Sequence, residues 1–152
     1  MKKLSVAIAF ALALGGCGEQ AMEKGKEAAA QSLRDPSSAQ FRNVTTNGNY
    51  VCGEINGKNA FGGFAGFSEF YAFEAAGGEW MAQIYNEDEL RQLEEGGYEE
   101  LARQTRANFK DAQAECTGDE KLIESRKMER FEEGCAQGIK EACDYLELSK
   151  GE

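Results

Sequence analysis

FRNVTTNGNYVCGEIN, residues 41–56, sets two β-prone runs, Phe41 to Thr46 and Tyr50 to Asn56, on either side of Asn47-Gly48-Asn49. Asn and Gly between such runs signal a hairpin, because short loops need positive φ and these residues adopt it at least cost. A third run, Phe67 to Phe73, places Phe67, Glu69, Tyr71 and Phe73 on one face. Ala75 to Gly78 turns the chain into a fourth run, Trp80 to Tyr85. The pattern predicts a short antiparallel meander of about four strands.

Helices are expected on both sides of the meander. Residues 19–34, rich in Ala, Glu, Lys and Gln, read as a helix that ends before Asp35-Pro36, since proline disfavours α geometry in its predecessor. Asn86 stands as an N-cap with Glu89 three residues on. Leu90, Leu93, Leu101, Thr105, Phe109 and Ala112 mark the buried stripe beyond it, with a break or kink at Gly96-Gly97. A last helix should run from about Glu120 to Cys135. The fold class is α+β, with a signal peptide expected at 1–16, an N-terminal helical stretch at 17–35, an α+β domain at 36–116 and a helical C-terminal extension at 117–152.

The start of the chain bears on compartment. Met1, Lys2 and Lys3 precede an apolar stretch from Leu4 to Leu14, far shorter than the roughly 20 residues a membrane-spanning helix needs. The segment closes with Leu14-Gly15-Gly16-Cys17, which resembles the lipobox of bacterial lipoproteins. The resemblance implies cleavage before Cys17, acylation of Cys17 on its sulfur and freed amine, and a membrane of the cell envelope as partner. Several acyl chains exceed the single chain that binds only marginally, so anchoring should be stable. Gly18 rather than Asp after the cysteine implies, for that class, the outer membrane facing the periplasm.

In an exported chain the remaining cysteines, Cys52, Cys116, Cys135 and Cys143, read as two disulfides with three possible connectivities. On one straight helix Cys135 and Cys143 would stand about 12 Å apart, whereas a bridge needs roughly 4.4–6.8 Å between Cα atoms. A turn must intervene, and Gly138 lies between them as a natural helix terminator. FEEGCAQGIKEACDYLEL, Phe131 to Leu148, therefore reads as two antiparallel helical pieces stapled across their loop. By elimination Cys52 pairs with Cys116. The chain has no histidine and no CxxC pair, so no metal and no other cofactor is expected. Through Cys135, Gly138, Ala142, Cys143 and Leu146 the segment resembles half of a Sel-one-like repeat of the cysteine-rich secreted type. With one unit where about three make a continuous core, it implies a helical cap and not a solenoid.

Without residues 1–16 the chain carries 15 basic and 27 acidic side chains, a formal charge of −12. That balance opposes nucleic-acid binding, which draws on neutralised phosphates, and it opposes any second anchoring by anionic lipid. It permits a cationic partner without demanding one, because acidic surfaces also serve solubility.

VCGEINGKNAFGGFAGFSEF, Val51 to Phe70, sets Glu54, Asn56, Lys58 and Asn59 around one bend. Glycines follow at 62, 63 and 66 and aromatics at 61, 64, 67 and 70, a loop of defined shape. One reading is a ligand- or partner-binding loop with a Glu54–Lys58 ion pair at its base. The other is that these groups satisfy the loop's own backbone, as Asn commonly does in turns. On that reading Glu54 and Asn56, nearest the strand, carry stability, Lys58 and Asn59 are closer to neutral, and most of the aromatics belong to the core. Together with LRDPSSAQFRNV, residues 33–44, the stretch resembles a widespread group of small bacterial and phage-associated proteins, many of them exported, over roughly residues 30–73. The resemblance implies a shared fold and no activity, so no functional residue transfers.

Histidine-assisted hydrolysis is excluded, and bridged cysteines are poor nucleophiles. Glu54 with Glu69 could serve a two-carboxylate mechanism, but 27 acids make such a pair easy to assemble. The glycines at 62, 63 and 66 match neither phosphate-binding fingerprint. The expected role is non-enzymatic: a lipid-anchored envelope protein that binds another envelope component or a peptide. The competing readings are an inhibitor of a cationic cell-wall hydrolase and a carboxylate-dependent cell-wall hydrolase.

Overall fold

The computed structural model describes residues 17–149; the expected signal segment at 1–16 and the Cys17 side chain lie outside the described residues. Helix α1 spans Cys17–Gln31, and a single 3-10 turn at Pro36–Ser38 leads into the sheet. Strands β1 (Gln40–Asn47), β2 (Tyr50–Asn56), β3 (Ser68–Glu74) and β4 (Trp80–Ile84) follow in an antiparallel meander of order β1-β2-β3-β4. Helices α2 (Glu87–Glu95), α3 (Glu99–Thr117), α4 (Glu120–Ala136) and α5 (Lys140–Ser149) complete the chain. The α+β class and the four-stranded meander are as the sequence patterns predict.

Strand periodicity sends alternate residues to opposite faces, and here both faces are covered. Val51, Ile55, Phe70 and Ala72 meet Ala29 of α1 on one side, with Leu33, Phe41, Trp80 and Ile84 around them. Phe70, Ile55 and Val51 are fully buried, each worth about 1.5–3 kcal/mol. Cys52 and Tyr71 meet Phe109, Ala112 and Cys116 of α3 on the other. Helix α1 approaches so closely at Gly25 that a Cβ there would sit 2.7 Å from the Val51 side chain.

Gly48 at φ +54° links β1 to β2, so the hairpin expected at Asn47-Gly48-Asn49 forms with glycine in the left-handed position. Asn86 caps α2 by accepting from the Glu89 N–H at 3.2 Å, and Gly96-Gly97 divides α2 from α3. One position of the expected stripe differs. Leu101 is half exposed, while neighbouring Ala102 is fully buried. Because the glycine break makes α2 a separate short helix, Leu90 and Leu93 lie over Thr105 and Phe109, and Leu101 is left at the rim of the groove between them.

Two disulfides close the fold. Cys52–Cys116 ties β2 to the last turn of α3, with Cα atoms 6.0 Å apart. Cys135–Cys143 staples α4 to α5 across a turn at Gly138 (φ +83°), with Cα atoms 4.7 Å apart. The same two helices stack Phe131 on Tyr145 at 3.9 Å between ring centroids.

Candidate functional site

The loop between β2 and β3 leaves the sheet at the end opposite the β1–β2 turn. Helix α1 spans the distance between those ends. A Cβ at Gly18 would lie 3.8 Å from Thr46 beside the turn, and one at Gly57 would lie 2.7 Å from Leu33 just past α1. Fifteen helical residues make that span about 22 Å.

Inside the loop the asparagines are builders. Asn56, 7% exposed, accepts from the Gly66 N–H at 3.1 Å through Oδ1. Asn59 Oδ1 accepts from the backbone N–H groups of Phe61 (3.0 Å) and Gly63 (3.1 Å), while its own N–H donates to the Gly63 carbonyl at 2.8 Å. The Lys58 N–H donates to Ser38 Oγ at 2.9 Å, and Ser38 Oγ donates to the Asp35 carbonyl at 2.7 Å. Asn59 thus carries more of the loop than its place further round the bend suggested. Lys58 alone of the four leaves its side-chain charge on the surface, with Nζ 5.9 Å from the Phe64 ring centroid.

Glu54 stands apart from this bend, and the expected Glu54–Lys58 ion pair does not form. Its carboxylate is taken by Arg42 across the strand pair, with Nη2–Oε1 at 2.6 Å and Nε–Oε2 at 2.9 Å, and Asn43 Nδ2 donates to it at 2.6 Å. The reason is a β-bulge. Asn43 and Val44 together face the single residue Gly53, and Asn43 takes a left-handed φ of +52° that turns its side chain onto Glu54. Glycine suits position 53, because a Cβ there would come 3.0 Å from the Val44 backbone and crowd it. Arg42 also lies 4.0 Å above the Phe67 ring. The sequence reading missed Arg42, Asn43 and Ser38 as partners, though all three lie in the 33–44 segment that accompanies the loop motif.

The aromatics divide. Phe70 is core and Phe67 half-buried under Arg42, but Phe61 is 97% exposed and Phe64 47% exposed, which corrects the expectation that most lie in the core. What the loop offers outward is two phenyl rings and one ammonium, on a backbone already hydrogen-bonded to itself.

Glu54 and Glu69 face each other directly across β2 and β3 beside a small cavity. Hydrogen bonds from Arg42, and then Asn43, hold the Glu54 carboxyl below the usual carboxylate range, so it stays ionised and is unsuited to donate a proton. Among the described residues no His, Cys, Asp or Glu group is arranged to hold a metal ion.

Charge is unevenly spread along the chain. Residues 32–68 carry Arg34, Arg42 and Lys58 against Asp35 and Glu54, whereas residues 69–152 carry ten basic and 22 acidic side chains. Helices α3 and α4 brace that acidic region with Arg126–Asp111 (3.0 Å), Arg130–Asp111 (3.2 Å) and Arg103–Glu133 (2.8 Å). Between α3, α4 and α5 lies a mostly apolar cavity of about 500 Å³ floored by Ile123, Phe131, Ile139 and Ala142. No protein-family model, no curated protein and no solved structure matches this chain.

Proposed function

We propose that the chain is a bacterial envelope lipoprotein, held by lipid on Cys17, whose domain serves a non-enzymatic binding role. The observation that carries this reading is Leu14-Gly15-Gly16-Cys17 set at the first residue of a helix that lies directly on the sheet. A lipid at that position would hold the folded domain against the bilayer with no spacer, which suits a component that works at the membrane surface. No described helix is long and apolar enough to cross a membrane. The test is Cys17→Ala in cells fed a labelled fatty acid. The label should be lost and the precursor should stay uncut; label persisting on the variant would overturn the anchor.

Charge favours a cationic envelope component as the bound partner, a hydrolase of the cell wall among the candidates. The supporting observation is the segregation of acid into residues 69–152, whose helices α3 to α5 build on the sheet face opposite α1. Photo-crosslinkers at exposed positions of α3 and α4 in the anchored protein should capture a basic protein, and should fail to do so at high salt, where surface charge is screened. Capture of an acidic protein by the same positions would sink that assignment.

A further inference from the structure

We infer that the β2–β3 loop is a second membrane contact, with Phe61 and Phe64 entering the headgroup region of the bilayer that holds the Cys17 lipid and Lys58 meeting anionic phosphates; this rests on the lipid anchor proposed above. Three observations point the same way. Phe61 is 97% exposed and Phe64 47% exposed in one loop, apolar area that none of the described residues covers. Three N–H groups of the tip are already paired, since Asn59 takes those of residues 61 and 63, and Gly62 N–H donates to the Asn59 carbonyl at 3.0 Å, while its remaining polar groups can meet water and headgroups at the interface. Aromatic rings flanked by a basic side chain suit the interface between headgroups and acyl chains.

Charge selects a lipid surface over a cationic protein at this place. Residues 17–68, α1 included, sum to zero while residues 69–152 sum to −12, so α1 and the loop lie in the stretch least repelled by anionic lipid. Geometry lets both contacts reach one bilayer. Cys17 begins α1 and the loop lies beyond its far end, about 22 Å away, so an α1 lying along the membrane brings both down together. The acid-rich helices, on the opposite face of the sheet, then face away from the lipid. Two rings and one ammonium make a weak contact alone, but the anchor keeps the loop at high effective concentration beside the surface.

The test uses the lipidated full chain carrying Phe61→Trp, reconstituted in vesicles of phosphatidylethanolamine with a minor share of phosphatidylglycerol, some lipids brominated on the upper acyl chain. Wild-type protein, whose sole tryptophan is Trp80, sets the baseline. The variant should show emission shifted to the blue and quenched by bromine beyond wild type, and adding Lys58→Glu should reduce that quenching. Both changes are on exposed side chains, and an unchanged melting temperature checks that the fold is intact. Lipidated protein whose new tryptophan is quenched no more than wild type overturns the inference and leaves the anchor standing. An intact mass without lipid removes the anchor, and the inference with it. A photo-crosslinker at position 61 that captures a protein in cells, and no lipid, makes the loop a protein contact and also overturns the inference.

Discussion

Asn59 shows how much one side chain holds: its Oδ1 accepts from two backbone N–H groups in a bend of five residues. Asn59→Ala should therefore lower stability by about 1 kcal/mol in a denaturant titration, whereas Lys58→Ala should stay within about 0.5 kcal/mol of wild type. Equal effects of the two would contradict the division of labour in the loop. The Arg42–Glu54 pair makes a claim about pH. Glu54 is held below its ordinary value, so its contribution is complete above the unfolded carboxylate pKa of about 4.3 and is lost as pH falls through the lower folded value. The stability gap between wild type and Arg42→Ala should be widest near neutrality and should close in acid; a gap independent of pH would show that Arg42 acts by packing on Phe67. Little of this was legible beforehand. Alternation and turn residues reveal strands, but a bulge shifts register by one residue, and it is the bulge that sets Arg42, in place of Asn43, directly opposite Glu54.

At the scale of elements, periodicity and punctuation carried far: α1 ends ahead of Asp35-Pro36, the meander lies between it and Asn86, and Gly96-Gly97 and Gly138 divide the helices. What periodicity could not reveal is which small residues are small because something leans on them. Gly25 sits mid-helix, where glycine ordinarily costs about 0.5–1 kcal/mol against alanine, so propensity alone favours Gly25→Ala. The structure reverses that sign, because the new Cβ would meet Val51 Cβ and Cγ2 at 2.7 Å across a buried seam. Gly25→Ala should destabilise by about 1–3 kcal/mol, read as a lower denaturation midpoint with unchanged slope. A higher midpoint would mean that α1 rests on the sheet more loosely than these contacts require. The exposed Phe61 and Phe64 were illegible for a related reason: an aromatic among glycines has no period to assign it inward or outward.

Over the whole molecule the two disulfides act on different bodies, and their removal should separate them. Cys52–Cys116 closes 64 residues and joins the sheet to α3 beside Tyr71 and Phe109, so it binds the two sides of one core. Cys135–Cys143 closes eight and joins α4 to α5, where Ala142 is the one buried residue that α4 and α5 contribute between them. In the chain-entropy account these loops contribute about 4 and about 2.5 kcal/mol, against a total of roughly 5–15 kcal/mol for a domain of this size. Replacing Cys52 and Cys116 together by serine should lower the melting temperature of the whole domain and expose amides of β2, β3 and α3 to hydrogen exchange at once. Replacing Cys135 and Cys143 together should leave the sheet protected and release α5 with the end of α4, because only non-covalent contacts, among them the Phe131–Tyr145 stack, Lys127 over the Tyr145 ring and the Gly134–Ala142 approach, then hold the hairpin closed. Equal loss of protection in the sheet from both variants would show that the C-terminal hairpin and the sheet fold as one cooperative unit, and that α4 and α5 are not an appended cap but part of the core.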